Sequence, residues 1–83
     1  MYEIKLTSKA KKQAEVLQKS NLNEKAKKLV AILRNNPLSP PFEKLKGFKD
    51  TYSRRINAQH RLVYHINDLE KIITILSCWT HYE

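Results

Sequence analysis

Polar and apolar positions alternate at the start of the chain and then change period. In "YEIKL", Tyr2, Ile4 and Leu6 alternate with Glu3 and Lys5, and this period of two predicts a short strand. Thr7 or Ser8 stands where a helix cap is wanted. Through "SKAKKQAEVLQKS", Ala10, Ala14 and Leu17 recur on one helical face, with Gln13 at its border and lysines over the rest. A second helical stripe comes after "NLN": Leu22, Ala26, Leu29, Val30 and Leu33. Asn21 with Glu24 three residues on predicts a capping box at its start. Pro37, after Asn35 and Asn36, predicts its end.

Beyond the proline-rich connector "PLSPPFEK" the period returns to two. "TYSRRIN", "HRLVYHI" and "KIITILSCWTHY" read as strands, the last two separated by the turn signal "NDLE". In "HRLVYHI", Leu62, Tyr64 and Ile66 point one way, and Arg61, Val63 and His65 the other. The final run is apolar at both parities (Ile72 and Ile73, Ile75 and Leu76). It therefore predicts a strand inside the sheet, buried on both faces. The order β-α-α-β-β-β predicts a single α+β domain over residues 1–83. A helical hairpin should pack on one face of a mainly antiparallel, twisted sheet. A last strand paired on both sides would hold His81 in place rather than leave it on a frayed tail.

Composition narrows the function. The chain has 83 residues, enough for one modest core, and a net charge of +8. Such a balance suits nucleic acid, an acidic protein or an anionic membrane face, and equally a soluble domain with a solvated lysine face. The membrane reading ranks last, because the helical stripes are narrow and alanine-rich, with no aromatic anchor. One glycine leaves no glycine-rich phosphate loop. A lone cysteine, Cys78, excludes an internal disulfide, and in "IITILSCW" it reads as a small buried hydrophobe. The three histidines, His60, His65 and His81, lack metal-ligand spacing. With no signal-like apolar stretch near the N-terminus, the chain reads as cytosolic.

The residues with chemical potential cluster late. Glu43 and Lys46 lie in "EKLK", Arg54 and Arg55 in "TYSRRIN", Arg61 in "HRLVYHI", and His81 and Tyr82 at the end. Taken singly, the glutamate reads as an ion-pair partner, the arginines as salt-bridge residues and the His-Tyr pair as surface. Trp79 either stacks on a base or packs in the core. Together they make a set of one carboxylate, several cations and an imidazole, without a nucleophile motif. That set fits metal-independent RNA cleavage. The 2′-OH of RNA is its own nucleophile, a base takes its proton and an acid protonates the leaving oxygen. Cations stabilise the phosphorane charge. A glutamate ringed by lysine and arginine is a weak base, so orientation and phosphate stabilisation should supply most of the rate.

The run E-x-L-K, then S-R-R-I, then H-R-L-V-Y, then a strand ending in His-Tyr resembles the YoeB/Txe family of RelE-like bacterial toxins. The likeness spans the C-terminal half in residues and the N-terminal half in pattern. It implies a RelE-like fold and a toxin of a type II toxin–antitoxin system that cuts messenger RNA in the ribosomal A site, without a cofactor. It assigns Glu43 as general base, Arg61 as phosphate stabiliser, His81 as general acid and Tyr82 as a substrate-orienting residue. Lys46, Arg55 and Arg54 become RNA or phosphate contacts. The implied partners are a cognate YefM/Axe-like antitoxin, the 70S ribosome with its mRNA, operator DNA through the antitoxin complex, and a second copy in a homodimer. Glu83, beyond the His-Tyr pair, would favour the protonated imidazole. Two rivals stay open: a non-catalytic RNA or ribosome binder, and a DNA-binding corepressor acting with its antitoxin.

Overall fold

A computed structural model describes residues 1–78. Seven elements occur in order: β1 (Glu3–Leu6), α1 (Ser8–Gln18), α2 (Asn23–Asn35), β2 (Glu43–Lys44), β3 (Thr51–Arg55), β4 (Arg61–Asn67) and β5 (Ile72–Ser77). The strands form one sheet in the order β1-β5-β4-β3-β2. β1 runs parallel to β5, and every other pair is antiparallel. The expected α+β order holds with one addition, β2. The sequence pattern does not predict it, because a two-residue strand with both side chains exposed carries no alternation to read.

The helices cover one face. Leu33 and Ala10 are fully buried and pack with Leu62, Tyr64, Ile66, Ile73 and Ile75 of the sheet. The β4 parity is as expected, with Leu62, Tyr64 and Ile66 on the helix side. The expectation for β5 holds in part. It lies inside the sheet, between β1 and β4. It is not buried on both faces, since Ile73 and Ile75 are buried while Ile72, Thr74 and Leu76 are half-buried. The strand is also shorter than its apolar run, and between its pairings Tyr64↔Ile75 and Val63↔Ser77 the register shifts by one residue. Such a bulge re-aims the residues beyond it, and Cys78 packs toward α1, its Sγ 3.7 Å from the Ala10 carbonyl oxygen.

The caps show where local chemistry decided. Thr7 caps α1 by accepting from the Ala10 amide at 3.1 Å, and its hydroxyl also donates to the Leu76 carbonyl at 3.3 Å. The cap thus ties the helix start to β5. The Asn21–Glu24 capping box does not form. Leu22 occupies the cap position without a side-chain bond. The Ser20 hydroxyl instead accepts from the Leu22 amide at 3.1 Å and donates to the Leu17 carbonyl at 2.8 Å. α2 stops before Pro37, as expected.

Candidate active site

Strand alternation sorts the late polar residues onto two faces. β3 pairs Ser53 with Val63 and Arg55 with Arg61, and β2 pairs Glu43 with Ser53. Partners directly opposite share a face, so Glu43, Ser53, Arg55 and Arg61 stand together on the face away from the helices. Arg61 Nη1 donates to Glu43 Oε1 at 2.6 Å and to Ser53 Oγ at 3.3 Å. Three sequence segments thereby meet at one point. Arg61 is mostly covered and Glu43 mostly open, at 23% and 66% side-chain exposure. An ion pair that exposed contributes only about 0–1 kcal/mol, so an incoming anion can replace the carboxylate on Arg61 at little cost.

Arg55 is exposed beside Arg61. Two cations directly opposite repel, and a phosphate between them would relieve that repulsion. Lys46 is exposed in the turn after β2 and joins no ion pair among the described residues. Gly47 comes next with φ +82°, a value that side-chain-bearing residues rarely adopt. A cavity of about 410 Å³ opens beside the pair, with Leu29, Ile32 and Phe42 as apolar wall and Glu43, Arg55 and Arg61 as polar wall.

Arg54 takes a different position from Arg55. The resemblance groups it with Arg55 as a phosphate contact, but alternation turns it to the helix side, where it is 3% exposed. Its Nη2 donates to the carbonyls of Pro37 (3.2 Å) and Ser39, its Nη1 to Pro41 (3.2 Å) and its Nε to the Tyr64 hydroxyl (3.2 Å). The Phe42 ring centroid lies 6.0 Å from its Cζ. Nε, Nη1 and Nη2 of this guanidinium are thus all engaged within the protein. Burial raises the Tyr64 pKa, with the neighbouring Arg54 charge opposing the rise. Sequence reasoning missed Ser53, although its parity with Arg55 in "SRR" places it on the site face.

His81 and Tyr82, with Trp79 and Glu83, lie outside the described residues. The route toward them is fixed as far as Cys78. Gln13 of α1 accepts from the Cys78 amide at 2.9 Å and from the Ser77 hydroxyl at 3.1 Å through one Oε1. Ser77 is the register partner of Val63, two residues along β4 from Arg61. β5 therefore ends at the same end of the sheet as the Glu43–Arg61 pair. Cys78 is buried, which raises its pKa and keeps the thiol protonated. Among the described residues no group of three His, Cys, Asp or Glu is placed to hold a metal ion, and no helix is long and apolar enough to cross a membrane.

Comparison with known proteins converges on one group. Residues 14–82 match the model of a family described as YoeB-like toxin of bacterial type II toxin–antitoxin system. Among solved structures, a YoeB/ParE toxin from Agrobacterium tumefaciens is 27% identical, with a TM-score of 0.88, over 96% of this chain and 99% of that one. The YoeB dimer from Staphylococcus aureus is 34% identical, with a TM-score of 0.83, over 98% of each chain. A YoeB–YefM complex from the same species matches at 33% identity and a TM-score of 0.81, over 99% of each chain. None of the curated proteins matches.

Proposed function

The chain belongs to the YoeB-like toxins of bacterial type II toxin–antitoxin systems, and from that premise we propose that it is a ribosome-dependent endoribonuclease that cuts mRNA in the A site. One observation carries the chemical reading: the 2.6 Å contact of Glu43 with Arg61 beside a cavity that Arg55 also lines. In the resting protein these two groups neutralise each other. A scissile phosphate takes the place of the carboxylate on Arg61. That frees Glu43 to accept the proton of the adjacent 2′-OH. The 2′-oxygen forms a bond to phosphorus, and the P–O5′ bond breaks. Arg61, with Arg55 opposite it on β3, stabilises the extra charge of the phosphorane, and Lys46 is a further RNA contact on the family resemblance. His81 gives its proton to the departing O5′, and Tyr82 orients the nucleotide; these two roles rest on the family resemblance. The products are a 2′,3′-cyclic phosphate and a 5′-hydroxyl. No step calls for a cofactor.

The ribosome supplies the geometry that the site lacks. A carboxylate is a weak base, so most of the acceleration must come from holding the 2′-oxygen in line with the leaving group. Codon-bound mRNA in the A site arrives in a restrained geometry, whereas free RNA does not. The neutralising partner is a YefM/Axe-like antitoxin whose acidic segment orders on the basic face. The S. aureus relative seen with YefM supports this, and the YoeB dimer supports self-association of the toxin. The complex with antitoxin is also the form expected on operator DNA, and the working compartment is the bacterial cytoplasm.

The test is cleavage in a purified translation system with stalled ribosomes. The wild type should cut A-site mRNA much faster than the same RNA free in solution. His81→Gln should bind ribosomes as tightly and cut far more slowly. Equal rates on free and ribosomal RNA would refute ribosome dependence. Ribosome binding without scission by the wild type would identify a non-catalytic binder.

A further inference from the structure

Arg54 poses a physical problem. A cation buried in a small core is costly, and an apolar side chain of similar volume often serves stability as well or better. Yet every hydrogen-bond acceptor of Arg54 among the described residues is uncharged: three backbone carbonyls and a phenol oxygen. A guanidinium adds to an apolar side chain a rigid fork that donates in several directions at once. Here the fork gathers the carbonyls of residues 37, 39 and 41, alternate positions of a connector that has no regular structure of its own. Tyr64 closes the arrangement, since its hydroxyl accepts from Arg54 and donates to the Pro37 carbonyl at 3.3 Å.

The connector ends at Glu43. That residue opens β2, which is two residues long and lies at the sheet edge. So short a strand cannot hold its own position. It is fixed on the far side by the ladder, where the Leu45 amide donates to the Thr51 carbonyl at 2.9 Å. On the near side it is fixed by the Arg54 bond to Pro41, two residues before Glu43. We infer that Arg54 is a positioning residue: it fixes the connector and, through it, places the Glu43 carboxylate against Arg61. The catalytic consequence rests on the nuclease reading of this site. Ser53, the residue before Arg54, meets Arg61 on the opposite face, so β3 sets the surroundings of the carboxylate from both sides of the sheet.

Arg54→Met keeps the length and loses the fork. It is to be measured by single-turnover cleavage on stalled ribosomes, by ribosome affinity and by amide hydrogen exchange. A carboxylate displaced by about 1 Å should lower the cleavage rate about 100-fold. Ribosome affinity should stay unchanged, the amides of residues 43–45 should exchange faster, and those of β4 and β5 should stay protected. Adding Glu43→Gln should slow Arg54→Met no further than Glu43→Gln alone, because both changes remove the same positioned base. Tyr64→Phe and Arg54→Lys should shift the same readouts less, and they carry the test if the Met variant does not fold. Wild-type cleavage and wild-type exchange at 43–45 in a folded variant would overturn the inference. So would a loss of ribosome affinity, or losses that multiply with Glu43→Gln. A wild type that never cleaves would instead refute the nuclease reading, and exchange at 43–45 would then decide whether Arg54 holds the connector.

Discussion

At the β1–β5 end of the sheet, Ile73 and Ile75 are at most 2% exposed and share a core with Leu33 of α2 and Ala10 of α1. At the β2–β3 end the same helix-side face carries Arg54, which binds a proline-rich connector and Tyr64 through four hydrogen-bond contacts. The first end is held by apolar burial, which is strong, non-directional and tolerant of small shifts. The second is held by directional bonds that lose their value when an atom moves by an ångström. Apolar packing suffices to keep a scaffold folded. Placing one carboxylate within 2.6 Å of one guanidinium takes the other kind of hold.

On that division, stability and chemistry should separate by region. The largest effect should come from Arg61→Ala. Ribosomal cleavage should fall about 100- to 1000-fold, as when a charge-stabilising donor is removed. Its unfolding midpoint in urea should move little, because an exposed ion pair contributes about 0–1 kcal/mol. Leu33→Ala inverts the pattern. It should cost about 2–5 kcal/mol in urea unfolding, while single-turnover cleavage by the folded fraction stays at the wild-type rate. A Leu33→Ala protein with a strongly reduced intrinsic rate would show that the two ends are not independent.

Smaller effects sharpen the same contrast. Thr7→Ala removes the α1 cap and its tie to Leu76, and should cost about 1 kcal/mol of stability, with no change in cleavage. The pH dependence is smaller still. The Tyr64 pKa is raised by burial, so the folded state holds that proton more tightly than the unfolded chain does. Its contribution is complete below the unfolded value near 10, and is lost as pH rises through the higher folded value. Thermal melts from about pH 10 upward should therefore show a decline that Tyr64→Phe reduces. Asp68 behaves oppositely. A hydrogen bond from Tyr2, aided by Lys71, lowers its pKa. Its contribution is present above the ordinary value of 3.8 and is lost as pH falls through the lower folded value. Because the group is exposed, Asp68→Asn should barely change an acid titration monitored by circular dichroism.

The same contrast explains which features are legible in the sequence. The scaffold is legible because apolar burial writes a period. Tyr2, Ile4 and Leu6 mark β1, the stripe from Leu22 to Leu33 marks α2, and Leu62, Tyr64 and Ile66 mark the core side of β4. Directional contacts write none. β2 escapes notice because Glu43 and Lys44 are exposed and take their strand geometry from β3. The Asn21–Glu24 box looks sound, but the Ser20 hydroxyl is closer to the amide in need. β5 is apolar at both parities, and only the placement of the helices shows that one face is covered. In the arginine doublet the two residues look equivalent. Parity with Tyr52 and Ile56 sets Arg54 apart from Arg55, yet deciding which parity faces inward requires the fold. Glu43 and Arg61 come from chemistry and family likeness, and their contact is geometry that no spacing rule supplies.

The central claim is that Glu43 takes the 2′-proton while Arg61 holds the phosphate. It is tested most directly by mapping RNA ends in a translating extract with wild-type protein and with Glu43→Ala. The prediction is new ends at A-site codons carrying a 2′,3′-cyclic phosphate with the wild type, and about 100-fold fewer of them with the variant. Ends bearing a 3′-hydroxyl, or a Glu43→Ala protein that cuts at the wild-type rate, would contradict it.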